Sequence, residues 1–148
     1  MLKLLSSSML VSFALFSNYT QAQDLPKSPI EVPQAFENYF NSADLNSLEK
    51  LYSKESIFVV SPGVPLQGPT KIHDALTQFM SSKVPIKLKV RNIYKTTDTA
   101  LIIFDWTMKG EDKSGNKIDM HGTGADVVHR QADGSWIYAI DNPFGVAH

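Results

Sequence analysis

Two acids near the end of the chain, Asp126 and Asp141, stand where a hairpin would bring them together. The run Ala125 to Gly145, ADVVHRQADGSWIYAIDNPFG, holds two alternating segments joined by Asp133-Gly134, a dipeptide that favours a two-residue type I′ turn. A turn centred there makes Asp126 and Asp141 cross-strand partners with side chains on one face. Like charges directly opposite each other destabilise a sheet, so the pair requires either a site or hydrogen-bonding partners. In an apolar cavity one carboxyl would stay protonated at neutral pH while the other ionises. Such a pair donates to a carbonyl oxygen and accepts a proton from an α-carbon or hydroxyl, which makes Asp126 and Asp141 the catalytic candidates. The structural alternative has Asp141 capping the turn at Asn142-Pro143 and Asp126 pairing with Arg130 or a helix N–H.

Other chemistries find little support. The chain has no cysteine, hence no disulfide, thiolate nucleophile or thiolate-bound metal. His121 and His129 share a strand face but lack a third ligand at a sensible spacing, so no metal is expected. His73, beside Asp74, reads as solvated, and His148 is terminal. Gly122-Thr123-Gly124 falls inside a strand and is not a phosphate loop. No cofactor is required by the acid pair. The net charge is −1, with the signs interspersed, which argues against nucleic acid and for a small apolar molecule as partner.

The elements that must position the acids follow from pattern. Lys3, the apolar run Met9 to Phe16 and Thr20-Gln21-Ala22 resemble a cleaved export signal over 1–22, implying a periplasmic or secreted protein; an uncleaved helix is the alternative. The run is short for a bilayer and no cysteine follows it for lipidation, so no stable membrane anchor is expected. Residues 23–33, with Pro26, Pro29 and Pro33, read as an extended linker, and 34–145 as one domain. A helix to about Ser42 would bury Phe36, Tyr39 and Phe40. Asp44 would cap a short helix with Leu45, Leu48, Leu51 and Tyr52 inward. A third helix after Gly68-Pro69 carries Ile72, Ala75, Leu76, Phe79 and Met80 on one stripe. Ser56 to Val60 is a short strand, and four more are expected at about 86–95, 99–110, 116–130 and 135–142.

Helices first and an antiparallel meander last indicate an α+β fold. A loop centred near Lys113 would set Trp106 opposite Met120, Phe104 opposite Gly122 and Ala100 opposite Asp126. One sheet face then holds Phe104, Trp106, Met108, Met120 and both acids, with Gly122 and Gly124 leaving room above them. Phe104, Trp106 and Met120, with Tyr39, Phe58 and Phe79 from the opposite side, are the ligand-binding candidates; plain core packing is the alternative. The other face, with Asp105, Thr107, His121, Thr123 and His129, is polar enough for solvent or a wet interface.

The stretches DLNSLEKLYSKESIFVVSPGVPLQGPTKIHDAL and GTGADVVHRQADGSWIYAIDNPFG resemble the nuclear transport factor 2-like superfamily, and within it the SnoaL-like branch of ketosteroid isomerases and polyketide cyclases (a DUF4440-type domain). The resemblance spans about 34–145. It implies a cystatin-like, cone-shaped curved antiparallel sheet, three N-terminal helices closing an internal pocket, and a homodimer. Asp126-Val127 matches the Asp-Val pair that supplies a protonated acid to the isomerases' oxyanion hole. Asp141 falls on a pocket position that is usually apolar there. The general-base position before a proline corresponds to Val60 or Ser61, and the oxyanion-hole tyrosine to Phe36, with Tyr39 a turn further on; steroid isomerisation by that mechanism is therefore not expected. Similar sequences ending in DG.W…DNP.G have no assigned reaction, some being labelled tailoring oxidoreductases by association. The resemblance thus leaves open an acid–base isomerase or cyclase, a non-catalytic binding or dimeric scaffold module, and an oxidoreductase-associated protein.

Overall fold

The computed structural model describes residues 25–145; the export signal expected over 1–22 and His148 lie outside them. Helix α1 spans Glu31–Asn41 and α2 spans Leu45–Glu49. Strand β1 covers Tyr52–Ser61 and β2 Val64–Gln67, followed by α3 at Pro69–Met80. The remaining strands are β3 (Ile86–Lys95), β4 (Thr99–Glu111), β5 (Lys117–Arg130) and β6 (Trp136–Asp141). They form one curved, unclosed six-stranded sheet in the order β2-β1-β6-β5-β4-β3. All pairings are antiparallel except β1 with β6, so the curved antiparallel sheet expected carries one parallel pair. The parallel pair arises because the chain returns from the meander to the edge made first.

Local chemistry explains the helix ends. The Asp44 side chain accepts from the Ser47 backbone N–H at 3.0 Å, capping α2. Glu31 accepts from Lys27 N–H and the Ser28 hydroxyl, both at 2.8 Å, so α1 starts earlier than Pro33 alone indicates. Within the segment read as an extended linker, the Pro26 carbonyl accepts from Trp136 N–H at 2.7 Å. Tyr52 and β2 depart from expectation in another way. Tyr52 opens β1 rather than ending α2, and Val64–Gln67 forms a strand folded back on β1. Pro65 hid that strand; it is tolerated because β2 is an edge.

The β4–β5 and β5–β6 hairpins are built alike. Each closes over three residues ending in a left-handed glycine: Lys113-Ser114-Gly115 (φ 80°) and Ala132-Asp133-Gly134 (φ 82°). The acid before or within each turn accepts from nearby backbone N–H groups: Asp112 from Ser114 and Asn116, Asp133 from Ser135. The second turn is therefore not the two-residue type I′ turn expected, because Asp133 keeps negative φ.

The core lies between the concave sheet face and the helices. Phe36 stacks on Phe40 at 5.9 Å and meets the Tyr138 ring edge-on at 6.1 Å, while Phe40 meets Phe79 at 5.2 Å. Buried aromatic packing of this kind exceeds what area alone contributes. No described helix is long and apolar enough to cross a membrane.

Candidate functional site

Strands β5 and β6 bring both acids to the concave face. Near the turn Arg130 pairs with Trp136 and Val128 with Tyr138; a bulge at Ala139 then moves the ladder by one residue, so Val127 pairs with Ile140. Ala125 N–H donates to the Asn142 carbonyl at 2.9 Å, which carries the shifted register past the acids. The expected alignment of Asp126 with Asp141 thus holds for a reason absent from the sequence argument: the longer turn and the bulge offset each other. Asp126 is 1% exposed and Asp141 4%.

Among the described residues neither acid meets a cation. Asp126 Oδ1 accepts from Asn142 N–H at 2.8 Å, and the ion pairs among the described residues do not include Arg130. Asp141 Oδ2 accepts from the Tyr52 hydroxyl. Burial, and then the charge of Asp141, pushes the Asp126 carboxyl well above the usual range, and the Asn142 N–H only partly opposes this. Burial also raises Asp141, to about 7, the Tyr52 hydrogen bond holding it down. The two titrate as a pair, and burial favours the protonated form of both.

Two tyrosines complete this wall. Tyr52 is placed by an irregular β1: Tyr52 pairs with Tyr138, but Ile57 already pairs with Ile140. Buried Ser56 bridges that gap, donating to the Tyr138 carbonyl at 2.6 Å. The Tyr52 ring lies 5.1 Å from that of Tyr138 and 6.2 Å from that of Phe58. Tyr138 lines the cavity, and its hydroxyl is raised by burial, then by Asp126 and Asp141. Sequence reasoning missed both, treating Tyr52 as helix core. No sequence signal was available for Tyr138, because period-two alternation sets it on the face of Ile140, opposite Asp141, and only the bulge at Ala139 turns it towards the acids.

The wall around the acids differs in detail from expectation. The β4–β5 register sets Trp106 opposite Gly122, Phe104 opposite Gly124, Met108 opposite Met120 and Ile102 opposite Asp126. This is two residues from the expected pairs, because the turn is centred on Ser114, and a shift of two leaves every side chain on its face. The rings occupy the space over the glycines. A Cβ at Gly124 would stand 2.2 Å from the Phe104 ring, and one at Gly122 would stand 2.8 Å from Trp106.

Phe58, Phe79, Phe104 and Trp106 line the cavity together with both acids. Two other candidates lie elsewhere. Tyr39 points to the α1–α2 corner, where burial and then the Asp44 charge raise its hydroxyl. Met120, 47% exposed, sits past the glycines towards the hairpin end. His121 and His129 lie opposite Thr107 and Thr99 on the other face.

The cavity itself is only about 20 Å³, room for about one water. An apolar groove of about 540 Å³ opens beside it and shares Phe58, Phe79, Trp106 and Pro143 with its lining. The mouth is spanned by Asn142–Gly145. Trp106 Nε1–H donates to the Pro143 carbonyl at 2.6 Å, and the Asn142 side chain donates to the Gly145 carbonyl at 3.0 Å.

A family model described as a SnoaL-like domain matches residues 33–139, well over half of the chain. The chain belongs to the SnoaL-like domain family. Solved structures agree on the nuclear transport factor 2-like fold. A candidate calcium/calmodulin-dependent protein kinase type II association domain from Thiobacillus denitrificans has a TM-score of 0.69 at 14% identity, covering 84% of this chain and 99% of its own. A ketosteroid isomerase-like protein from Erwinia carotovora atroseptica gives 0.64 at 17%, covering 73% and 85%. A nuclear transport factor 2-like superfamily protein from Salmonella enterica gives 0.63 at 20%, covering 78% and 86%. No curated protein matches the chain. At these identities the neighbours carry fold, not chemistry.

Proposed function

We propose that this SnoaL-like domain binds a small, mostly apolar, carbonyl-bearing molecule at the acid pair and can move a proton on it. The observation that carries this reading is the placement of two buried carboxyls, without a cation, on one cavity wall. Neutral Asp126 donates to the carbonyl oxygen. Asp141, poised near neutrality and held by Tyr52, accepts or returns the proton, the division of labour that matched pKa values favour. No cofactor enters this scheme. Incubation with cyclic ketones in deuterated water should place deuterium on the α-carbon, and Asp141→Asn should abolish it. Binding without exchange would reduce the function to ligand capture.

The scaffold reading has its own support on the convex face. Tyr94, Leu101, Val127, Ile140 and Ile57 are successive ladder partners across the sheet, with Tyr94, Leu101 and Ile140 exposed. Such a row fits a second copy of the chain, so the domain is proposed to be a homodimer. Leu101→Glu should halve the mass measured by light scattering; an unchanged mass would remove this face from the interface. The basic and apolar pattern of residues 1–22 supports export as the setting for this activity.

A further inference from the structure

The cavity at the acids and the groove outside it differ greatly in size, and the difference constrains the ligand. About 20 Å³ admits one oxygen-sized group, whereas the groove of about 540 Å³ has room for a chain or small ring. The two spaces share Phe58, Phe79, Trp106 and Pro143 and so adjoin each other. Neither lining contains Lys or Arg, so a carboxylate or phosphate head would find no counter-charge beside two carboxyls. Resting on the acid-pair reading, we infer that the ligand is an elongated neutral molecule with one terminal carbonyl or hydroxyl. Its oxygen reaches Asp126 and Asp141, and its apolar body lies in the groove over Phe58, Phe79 and Met120.

The geometry also sets what is refused. A compact polycyclic ketone does not fit the inner space of about 20 Å³, where Phe104 and Trp106 already lie against Gly124 and Gly122. A polyol loses its hydration in the groove without recovering hydrogen bonds. Chain length is therefore read outside, and head-group chemistry inside.

The test is a series of methyl ketones from butanone to undecanone, with the matching alkanes and carboxylates, followed by Trp106 fluorescence and calorimetry on the whole protein. Affinity should rise about three- to fourfold per methylene until the groove is filled. Ketones should bind more tightly than alkanes and carboxylates. Met120→Glu, at an exposed position, should flatten the length dependence; Asp126→Leu, which removes the donor that an amide would keep, should remove the preference for ketones. Ketone binding that needs Asp126 but ignores chain length would overturn the groove assignment and spare the acid-pair reading. Length dependence with alkanes equal to ketones would overturn the acid-pair reading, and with it the oxygen-headed ligand. Binding of nothing in the series would overturn both. A dimer that dissociates on Met120→Glu would give the groove to a second copy and also end the inference.

Discussion

Carboxylates on the two faces of one sheet are driven in opposite directions. On the convex side of β4, Asp105 accepts from Arg91 Nε–H at 2.7 Å and from the Thr123 hydroxyl at 2.9 Å. The Arg91 hydrogen bond, foremost, holds its pKa below the usual range. On the concave side Asp126 lies opposite Ile102, with no cation, and burial pushes it up. The two positions share strands, ladder geometry and chemical type. What separates them is which way the pleat points and whether an arginine was placed within reach, so surroundings rather than residue type set the chemistry available.

The largest test of this contrast is pH. Folding raises the proton affinity of both inner acids, so the stability they contribute is present in acid. It is lost as pH rises from about 4, the ordinary carboxylate value, through about 7 for Asp141. The slope approaches about 1.4 kcal/mol per pH unit for each group. Asp126→Asn with Asp141→Asn should flatten that slope and make the protein more stable than the parent at about pH 8. Urea unfolding across pH measures it; parallel profiles for parent and variant would mean that the acids do not feel their burial.

A smaller effect compares packing on the same two faces. Gly124→Ala must displace the Phe104 ring and should cost about 1–3 kcal/mol. Thr123→Ala, next to it but facing solvent, should cost about 0.5 kcal/mol. Equal losses in thermal unfolding would contradict a concave face packed to the rings.

The smallest effect is at Asp105, and its sign is reversed. Its lowered pKa contributes stability above the ordinary carboxylate range, and that contribution disappears as pH falls through the lowered value. Asp105→Asn should therefore weaken the protein slightly at neutral pH, less so in high salt, and not at all in strong acid. A stabilising effect at neutral pH would show that Arg91 does not hold it.

Much of this was legible in the sequence because period-two alternation survives errors of two residues. The expected Trp106–Met120 pairing was displaced, yet Phe104, Trp106 and Asp126 still fell on the inner face. The acids' alignment was reached through compensating departures, a three-residue turn and the Ala139 bulge, neither of which leaves a mark beyond Gly134. Tyr52 was not legible as part of the site. Its role depends on the parallel pairing of β1 with β6 and on the Ser56 bridge, contacts between segments far apart in the chain. The near-filling of the cavity was hidden as well, since glycine beneath an aromatic ring and glycine beneath open space look alike in one dimension.

The sixth strand in chain order is inserted between β1 and β5. Until it emerges from the ribosome, the earlier strands can only form separate half-sheets, each with an unpaired backbone edge open to neighbouring chains. A chain cut short before Trp136 would lose Asp141 and would also keep those sticky edges, making it prone to aggregate.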